Sequence, residues 1–293
     1  MRVLVLSASG YIGLGVARAF RRHGHTVYGL IRDNAKAPLL AASEIIPMVG
    51  DASKSFTWTS AAESCDCIVS CVPWDQSLME NIIKAVEDIS RKRQVIFINT
   101  SGIWVFGEEK QSMVTEMSHR KQMKVTFGRA VLDQRIQDSQ RFMGIVIIPG
   151  MVYGYNGGSI FGPMVFQAAK EGAVHLPGSA QTRWSMIHVD DLGEMYVLAA
   201  EKASLVKGQC FVAVNSVCES VGDIVNAAIQ RINPKATVNW VEADNPFFEA
   251  LATTIQASSR KAESLLGWKA KQPGFVDGMD VFVAAWKGSA SHA

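Results

Sequence analysis

The chain has 293 residues, 48% of them hydrophobic, and 29 Lys and Arg against 27 Asp and Glu give a net charge of +2. That length and apolar content support a substantial core and exclude a disordered polypeptide, and the balanced charge without a basic block excludes nucleic acid as the implied partner. No apolar run reaches the ~18 residues that a membrane span needs, and the chain starts directly on a strand, so the expectation is a cytoplasmic protein with no signal peptide and no membrane segment.

Residues 3–6 form a bare hydrophobic strand that runs into Ser7, Ala8, Ser9, Gly10, Tyr11, Ile12 and Gly13, and then into an apolar-periodic helix ending at about Arg22. Strand, tight turn and helix is the order that holds a pyrophosphate. Small residues let the backbone approach, and the first helical N–H groups meet the negative charge. The usual fingerprint is G-x-G-x-x-G, with a variant G-x-x-G-x-x-G. Here Ser7 takes the first glycine position of the variant, while Gly10 and Gly13 remain. The flanking strand and helix are the context that gives such a pattern meaning; the bland alternative is a glycine-rich turn of some other α/β protein.

Further strands are expected at 26–31, 45–49, 68–72, 95–99 and 144–148, with helices at 78–89 and 121–141. This alternation predicts an α/β fold: a Rossmann-type, doubly wound parallel sheet with the ligand crevice at the carboxyl ends of its strands. Beyond residue 150 the alternation loosens, with helices expected at 161–171, 190–201, 221–232 (capped by Ser220) and 261–266. The expected organisation is a dinucleotide-binding Rossmann domain over 1–150. A smaller C-terminal α+β substrate lobe then fills most of 151–293, with segments returning to the first domain. The five cysteines, Cys65, Cys67, Cys71, Cys210 and Cys218, are an odd number and read as reduced thiols. Cys67 and Cys71 fall in an apolar run, so buried structural cysteines are expected and no metal site, which would want a second ligand pair.

An ordered set of motifs covers nearly the whole chain: the turn from Ser7 to Gly13, Asp51 after Val49-Gly50, Val105-Phe106-Gly107, Val152-Tyr153-Gly154, Ile187-His188-Val189-Asp190-Asp191-Leu192 and Leu265-Leu266-Gly267-Trp268. In this it resembles the extended short-chain dehydrogenases/reductases of the NAD-dependent epimerase/dehydratase group. The resemblance implies a nicotinamide cofactor in the N-terminal crevice, a substrate between the lobes, and epimerisation, dehydration or carbonyl reduction. At the end of the second strand Arg32 precedes Asp33. An acidic residue there would bind the ribose of NAD and an arginine the 2′-phosphate of NADP, so NADP is favoured and NAD stays open; Arg32 also reads as a plain surface charge. By resemblance Asp51 lies near the adenine, or else caps its loop. Val72, Pro73 and Trp74 would line the nicotinamide side, Trp74 equally being a packing aromatic.

The family's chemistry uses a Tyr-x-x-x-Lys pair on the helix after the fifth strand. The corresponding positions here are Phe127 and Val131, which supply neither a proton nor a charge, and no tyrosine occurs between Gly107 and Gly144. The candidates left for catalysis are Thr100 and Ser101, near the family's serine position, and Tyr153 at the crevice mouth; the two hydroxyls also read as strand-end caps. His188 with Asp191 resembles the family position that ties the lobe to the sheet. The expected function is an NADP-binding, atypical member that reduces, dehydrates or isomerises a small hydrophobic or aromatic metabolite. A non-catalytic NADP-binding redox sensor is one alternative. An NAD-dependent sugar epimerase is another, for which basic residues to grip a second diphosphate are few. Pairing as a homodimer through the helices at 78–89 and 121–141 is the expected assembly.

Overall fold

A computed structural model of the protein describes residues 1–121 and 123–290. Its strands are β1 (Arg2–Leu6), β2 (Thr26–Ile31), β3 (Ile46–Val49), β4 (Cys67–Ser70), β5 (Ile96–Thr100), β6 (Glu109–Val114) and β7 (Met143–Pro149). They continue with β8 (Met151–Tyr153), β9 (Ala173–Pro177), β10 (Arg183–His188), β11 (Cys210–Ala213), β12 (Cys218–Ser220), β13 (Thr237–Val241) and β14 (Ile255–Ala257).

Seven of them form one parallel sheet in the order β11-β7-β5-β4-β1-β2-β3. Helices cover both faces, which is why the central strands are near-continuous apolar runs. Successive side chains alternate between faces. Val3 and Val5 pack with Val16 and Phe20 of the Tyr11–Arg22 helix and with Leu192 and Tyr196 of the Val189–Glu201 helix. Leu4 and Leu6 pack on the other face with Ile82, Ile83 and Val86 of the Gln76–Ile89 helix. The winding direction reverses between β1 and β4, and a crevice opens at their carboxyl ends.

A second sheet runs β12-β10-β14-β6, with β8 paired to β10, and β13 pairs with β9. Its core is aromatic, with Tyr153, Phe161, Phe166, Trp184, Phe275 and Phe282. The two parts exchange segments. The Val189–Glu201 helix and β11 return to the main sheet. β6 leaves the first 150 residues to pair with β14; its sequence, Glu-Lys-Gln-Ser-Met-Val, is too polar to advertise a strand.

The helix expected over 121–141 is interrupted. A short 3-10 turn occupies Lys124–Thr126 and the α-helix proper is Arg129–Gln137. Gly128 between them has φ +75°, and a Cβ there would come within 2.6 Å of Gln76 Oε1, so the break is built on a glycine. Similarly, the 161–171 helix starts as a π-helical stretch, Phe161–Gln167, and becomes α-helical only at Ala168–Glu171. Among the described residues no helix is long and apolar enough to cross a membrane.

Candidate active site

The chain leaves β1 through Ser7, whose φ is +63°. This left-handed backbone explains why glycine is the usual occupant, and here a serine bears the steric cost. The turn closes when Gly10 N–H donates to the Ser7 carbonyl at 3.0 Å. A Cβ on Gly13 would stand 2.2 Å from that same carbonyl oxygen, so the helix packs on the turn only because residue 13 is glycine. No side chain caps the start of the Tyr11–Arg22 helix and no acid lies in its first turn. Its free N–H groups and positive dipole end are left for an anion. This cradle fits the pyrophosphate of a dinucleotide.

Ser7, Gly10, Tyr11 and Ile12 open onto a cavity of about 460 Å³ that continues past Cys71, Val72, Pro73 and Trp74 at the end of β4 to Thr100, Ser101, Gly102, Ile103 and Trp104 after β5. Arg129, Pro149, Gly150, Met151, Val152, Ser159 and Ile160 close it. Tyr11 fastens turn to lobe: its hydroxyl donates to the Gly154 carbonyl at 2.6 Å, and burial raises its pKa. The Cys71 thiol is pushed up to about 12 by burial, which keeps it a thiol rather than a nucleophilic thiolate at neutral pH.

The two expected hydroxyls differ. Thr100 Oγ1 lies 2.6 Å from the Ser70 carbonyl and 2.7 Å from Tyr196 Oη. A hydroxyl has one proton, so Thr100 donates to Ser70 and accepts from Tyr196. Its proton is spent inside the protein, and Thr100 serves as a clamp between β5, β4 and the Val189–Glu201 helix. Ser101 Oγ forms a short hydrogen bond with Asp133 Oδ2, and Asn99 Nδ2 donates to Asp133 Oδ1 at 3.1 Å. Asp133 is 3% exposed. Burial pushes its carboxyl above the usual carboxylate range, opposed by the Ser101 bond, the charges of Arg129 and Arg120, and the Asn99 bond. While Asp133 is ionised, Ser101 must donate to it. Once Asp133 is protonated, the carboxyl can donate to Ser101, and the Ser101 proton is released towards the cavity.

Other expected residues lie elsewhere. Tyr153, expected as a proton donor at the crevice mouth, is fully buried and outside the cavity lining. Opposite His188 in the β8–β10 pairing, it turns into the lobe core; its hydroxyl donates to the Pro273 carbonyl at 2.6 Å and accepts from Asn215. Phe127 and Val131 are each 63% exposed and do not line the cavity, because the helix begins later than expected. Its first residue, Arg129, is what the segment presents to the cavity, over the Trp74 ring at 4.9 Å to the centroid. Arg129 was missed in the sequence; its only trace there is the four-residue spacing to Asp133.

Ser9 and Gly13 shape the turn without lining the cavity. Arg32 is exposed at the end of β2. Asp33 beside it has its carboxylate engaged, accepting from Ala35 N–H at the start of a short 3-10 turn. Asp51 accepts from Ser53 N–H, a bond that holds its carboxyl below the usual range, helped by the charge of Arg32. His188 Nδ1 caps the Val189–Glu201 helix by accepting from Asp190 N–H. Asp191 accepts from Lys271 and Gln272 N–H, tying the C-terminal segment to the core. Cys65 and Cys67 are buried, whereas Cys71 lies at the cavity.

Comparison with known proteins agrees with this fold. A protein of Schizosaccharomyces pombe described as uncharacterized is 26% identical over 284 residues, covering 92% of this chain and 95% of its own. Among solved structures, a UDP-glucose-4-epimerase from Stenotrophomonas maltophila with bound NAD superposes with a TM-score of 0.84 at 16% identity, over 100% of both chains. A dTDP-glucose 4,6-dehydratase from Streptomyces venezuelae with NAD bound gives 0.83 at 16% identity, over 99% of this chain and 98% of its own. At that identity the two structures speak for the fold. Residues 3–213 match the NAD dependent epimerase/dehydratase family; with nearly three quarters of its length in that match, the chain is a member of that family, an extended short-chain dehydrogenase/reductase.

Proposed function

We propose that the chain is an NADP-dependent reductase of a small, apolar or aromatic carbonyl compound, working without the tyrosyl proton donor of its family. The observation that carries this reading is the single cavity running from the uncapped turn at Ser7 and Gly10 to the Ser101–Asp133 couple, with Val72, Pro73, Trp74, Ile103 and Trp104 as apolar walls. In this reading Ser7, Ser9, Gly10, Tyr11, Ile12 and Gly13 hold the pyrophosphate. The exposed Arg32, beside an already engaged Asp33, favours the 2′-phosphate of NADP, and Asp51 flanks the adenine.

The bound coenzyme, when reduced, would supply a hydride to the substrate carbon. Ser101 Oγ then passes its proton to the substrate oxygen and takes one from Asp133 Oδ2. The resulting Asp133 carboxylate is stabilised by Asn99 and by the nearby Arg129 and Arg120 charges. The apolar walls exclude water, which strengthens these interactions. The absence of a free phenol at the cavity keeps the redox-sensor reading as the second choice, since coenzyme binding alone needs only the turn. A sugar-nucleotide substrate fits poorly: among the described residues Arg129 is the sole charged side chain lining the cavity.

Fluorescence titration with NADPH and NADH, followed by NADPH consumption with a panel of aryl and alkyl carbonyls, tests the reading. NADPH should bind more tightly than NADH, and Ser101→Ala should lower kcat about 100-fold, in the range of lost general-acid catalysis, with NADPH affinity unchanged. No turnover with any carbonyl, combined with tight NADPH binding, would favour the sensor.

A further inference from the structure

Arg129 is a cation whose neighbouring carboxyl group, that of Asp133, makes its hydrogen bonds elsewhere. Among the described residues it is the one charged side chain lining the cavity, and its Nε is buried without a hydrogen-bond partner. Asp133, whose charge reaches it, has its two oxygens turned to Ser101 and Asn99. Gly102 makes room for the guanidinium: a Cβ there would stand 3.0 Å from Arg129 Nη1. The Trp74 ring supports the group from below, 4.9 Å away. A guanidinium whose Nε is buried with its donor unused is costly unless a ligand supplies an acceptor. Its planar fork matches a carboxylate through two parallel hydrogen bonds, and its surroundings are otherwise apolar.

We propose that Arg129 anchors the carboxylate of a small aromatic or aliphatic acid, so that the substrate of this cavity is an organic acid bearing the reacting carbonyl. The inference rests on the reading of the cavity as a substrate site beside the dinucleotide. The dinucleotide has its own anion cradle at the uncapped helix start, whereas Arg129 belongs with Ser101, Gly102 and Trp74 at the far ends of β4 and β5. The acid is thus held at Arg129, with its carbonyl oxygen within reach of Ser101.

Isothermal titration with benzoate, phenylacetate, 3-phenylpropanoate and hexanoate, each against its carboxamide, tests this with and without saturating NADP. At least one acid should bind the wild type about tenfold or more tighter than its amide, as expected for charge-assisted hydrogen bonds. Arg129→Gln should erase that preference while changing NADP affinity less than about threefold. Arg129→Lys, which keeps the charge without the fork, should retain part of it, and this variant separates loss of the anchor from loss of the fold. Equal binding of acids and amides, or no acid binding at all, overturns the proposal. So does an Arg129→Gln variant that loses NADP affinity by the same factor when no acid is present, because Arg129 would then grip a phosphate of the dinucleotide. A wild type that prefers acids but does not bind NADP defeats the coenzyme reading and upholds the anchor.

Discussion

The turn after β1 and the segment after β5 sit at opposite ends of one cavity and are built in opposite ways. The turn is made by backbone: a left-handed Ser7, a Gly13 whose Cβ has no room, and a helix start with nothing capping it. All of that lies within seven consecutive residues. The β5 end is made by side chains that meet only in the folded chain: Ser101, Arg129, Asp133 and, from the end of β4, Trp74. Binding a diphosphate needs N–H groups in a fixed curve, which local sequence dictates. Moving a proton needs a particular group with a tuned environment, which tertiary packing dictates. The first kind of site persists as long as its glycines do; the second can be rebuilt from different residues.

The harshest way to break the turn is Gly13→Val. A Cβ 2.2 Å from the Ser7 carbonyl oxygen cannot be accommodated by a side-chain rotation. The helix must move off the strand, costing about 3 kcal/mol of stability as overpacking does. NADP binding should fall about 100-fold or more. Denaturant unfolding and NADPH titration of the same variant check both; an unchanged affinity would remove the turn as the coenzyme site.

Next in size is Asp133→Asn, which probes the other end. Burial raises the Asp133 carboxyl above its ordinary value of 3.8 in the folded state, so the native chain holds that proton more tightly than the unfolded one. The stabilisation is complete below the ordinary value and is lost as the pH rises through the folded value. An asparagine does not ionise and escapes that loss. The unfolding free energy of Asp133→Asn relative to wild type should therefore climb with pH above about 4. Urea unfolding at stepped pH measures it, with a parallel infrared band of a protonated carboxyl, present in wild type and missing in the variant. A flat difference across pH would mean that Asp133 is ionised throughout and that Ser101 has no proton to give.

These two ends also differ in how they could be read from residues alone. The turn and the parallel sheet were legible, because apolar runs, glycine spacing and the 3.6 period are local signals. Around β5 the same reading stopped short. A lone Asp in a helix suggests a solvated face, and nothing near Asp133 in sequence announces Ser101 and Asn99, more than thirty residues upstream. Resemblance to the family's Tyr-x-x-x-Lys motif points to Phe127 and Val131, while the helix that starts after Gly128 gives the cavity Arg129 instead. Tyr153 failed for another reason. A tyrosine in a glycine-rich stretch looks available, yet strand pairing with β10 fixed its direction into the lobe core.

A smaller change sharpens the backbone side of the comparison. Ser7→Gly replaces a left-handed serine with the residue that adopts φ +63° without strain. Relief of that strain, set against the greater freedom of glycine in the unfolded chain, should leave a gain of about 0.5–1 kcal/mol. A shift of the urea midpoint at constant m-value reads it. A loss instead would show that the Ser7 hydroxyl contributes more than its backbone costs.

The smallest expected effect is the most instructive about the β5 end. Placing a tyrosine and a lysine at the positions that the resemblance assigns to the family's pair, as Phe127→Tyr with Val131→Lys, puts a phenol and an ammonium where the present side chains are each 63% exposed. In water their mutual charge effect is weak, and neither borders the cavity. Stability should change by less than about 0.5 kcal/mol, as for surface substitutions. Carbonyl reduction should stay within about twofold of wild type, because ΔΔG‡ for groups that never meet the substrate is near zero. A large gain in NADPH consumption would mean that the segment 124–131 swings inward when coenzyme binds, and that the exposed face of the 3-10 turn is only its resting position. An unchanged rate would leave Ser101 and Asp133 as the groups through which a proton can reach the cavity.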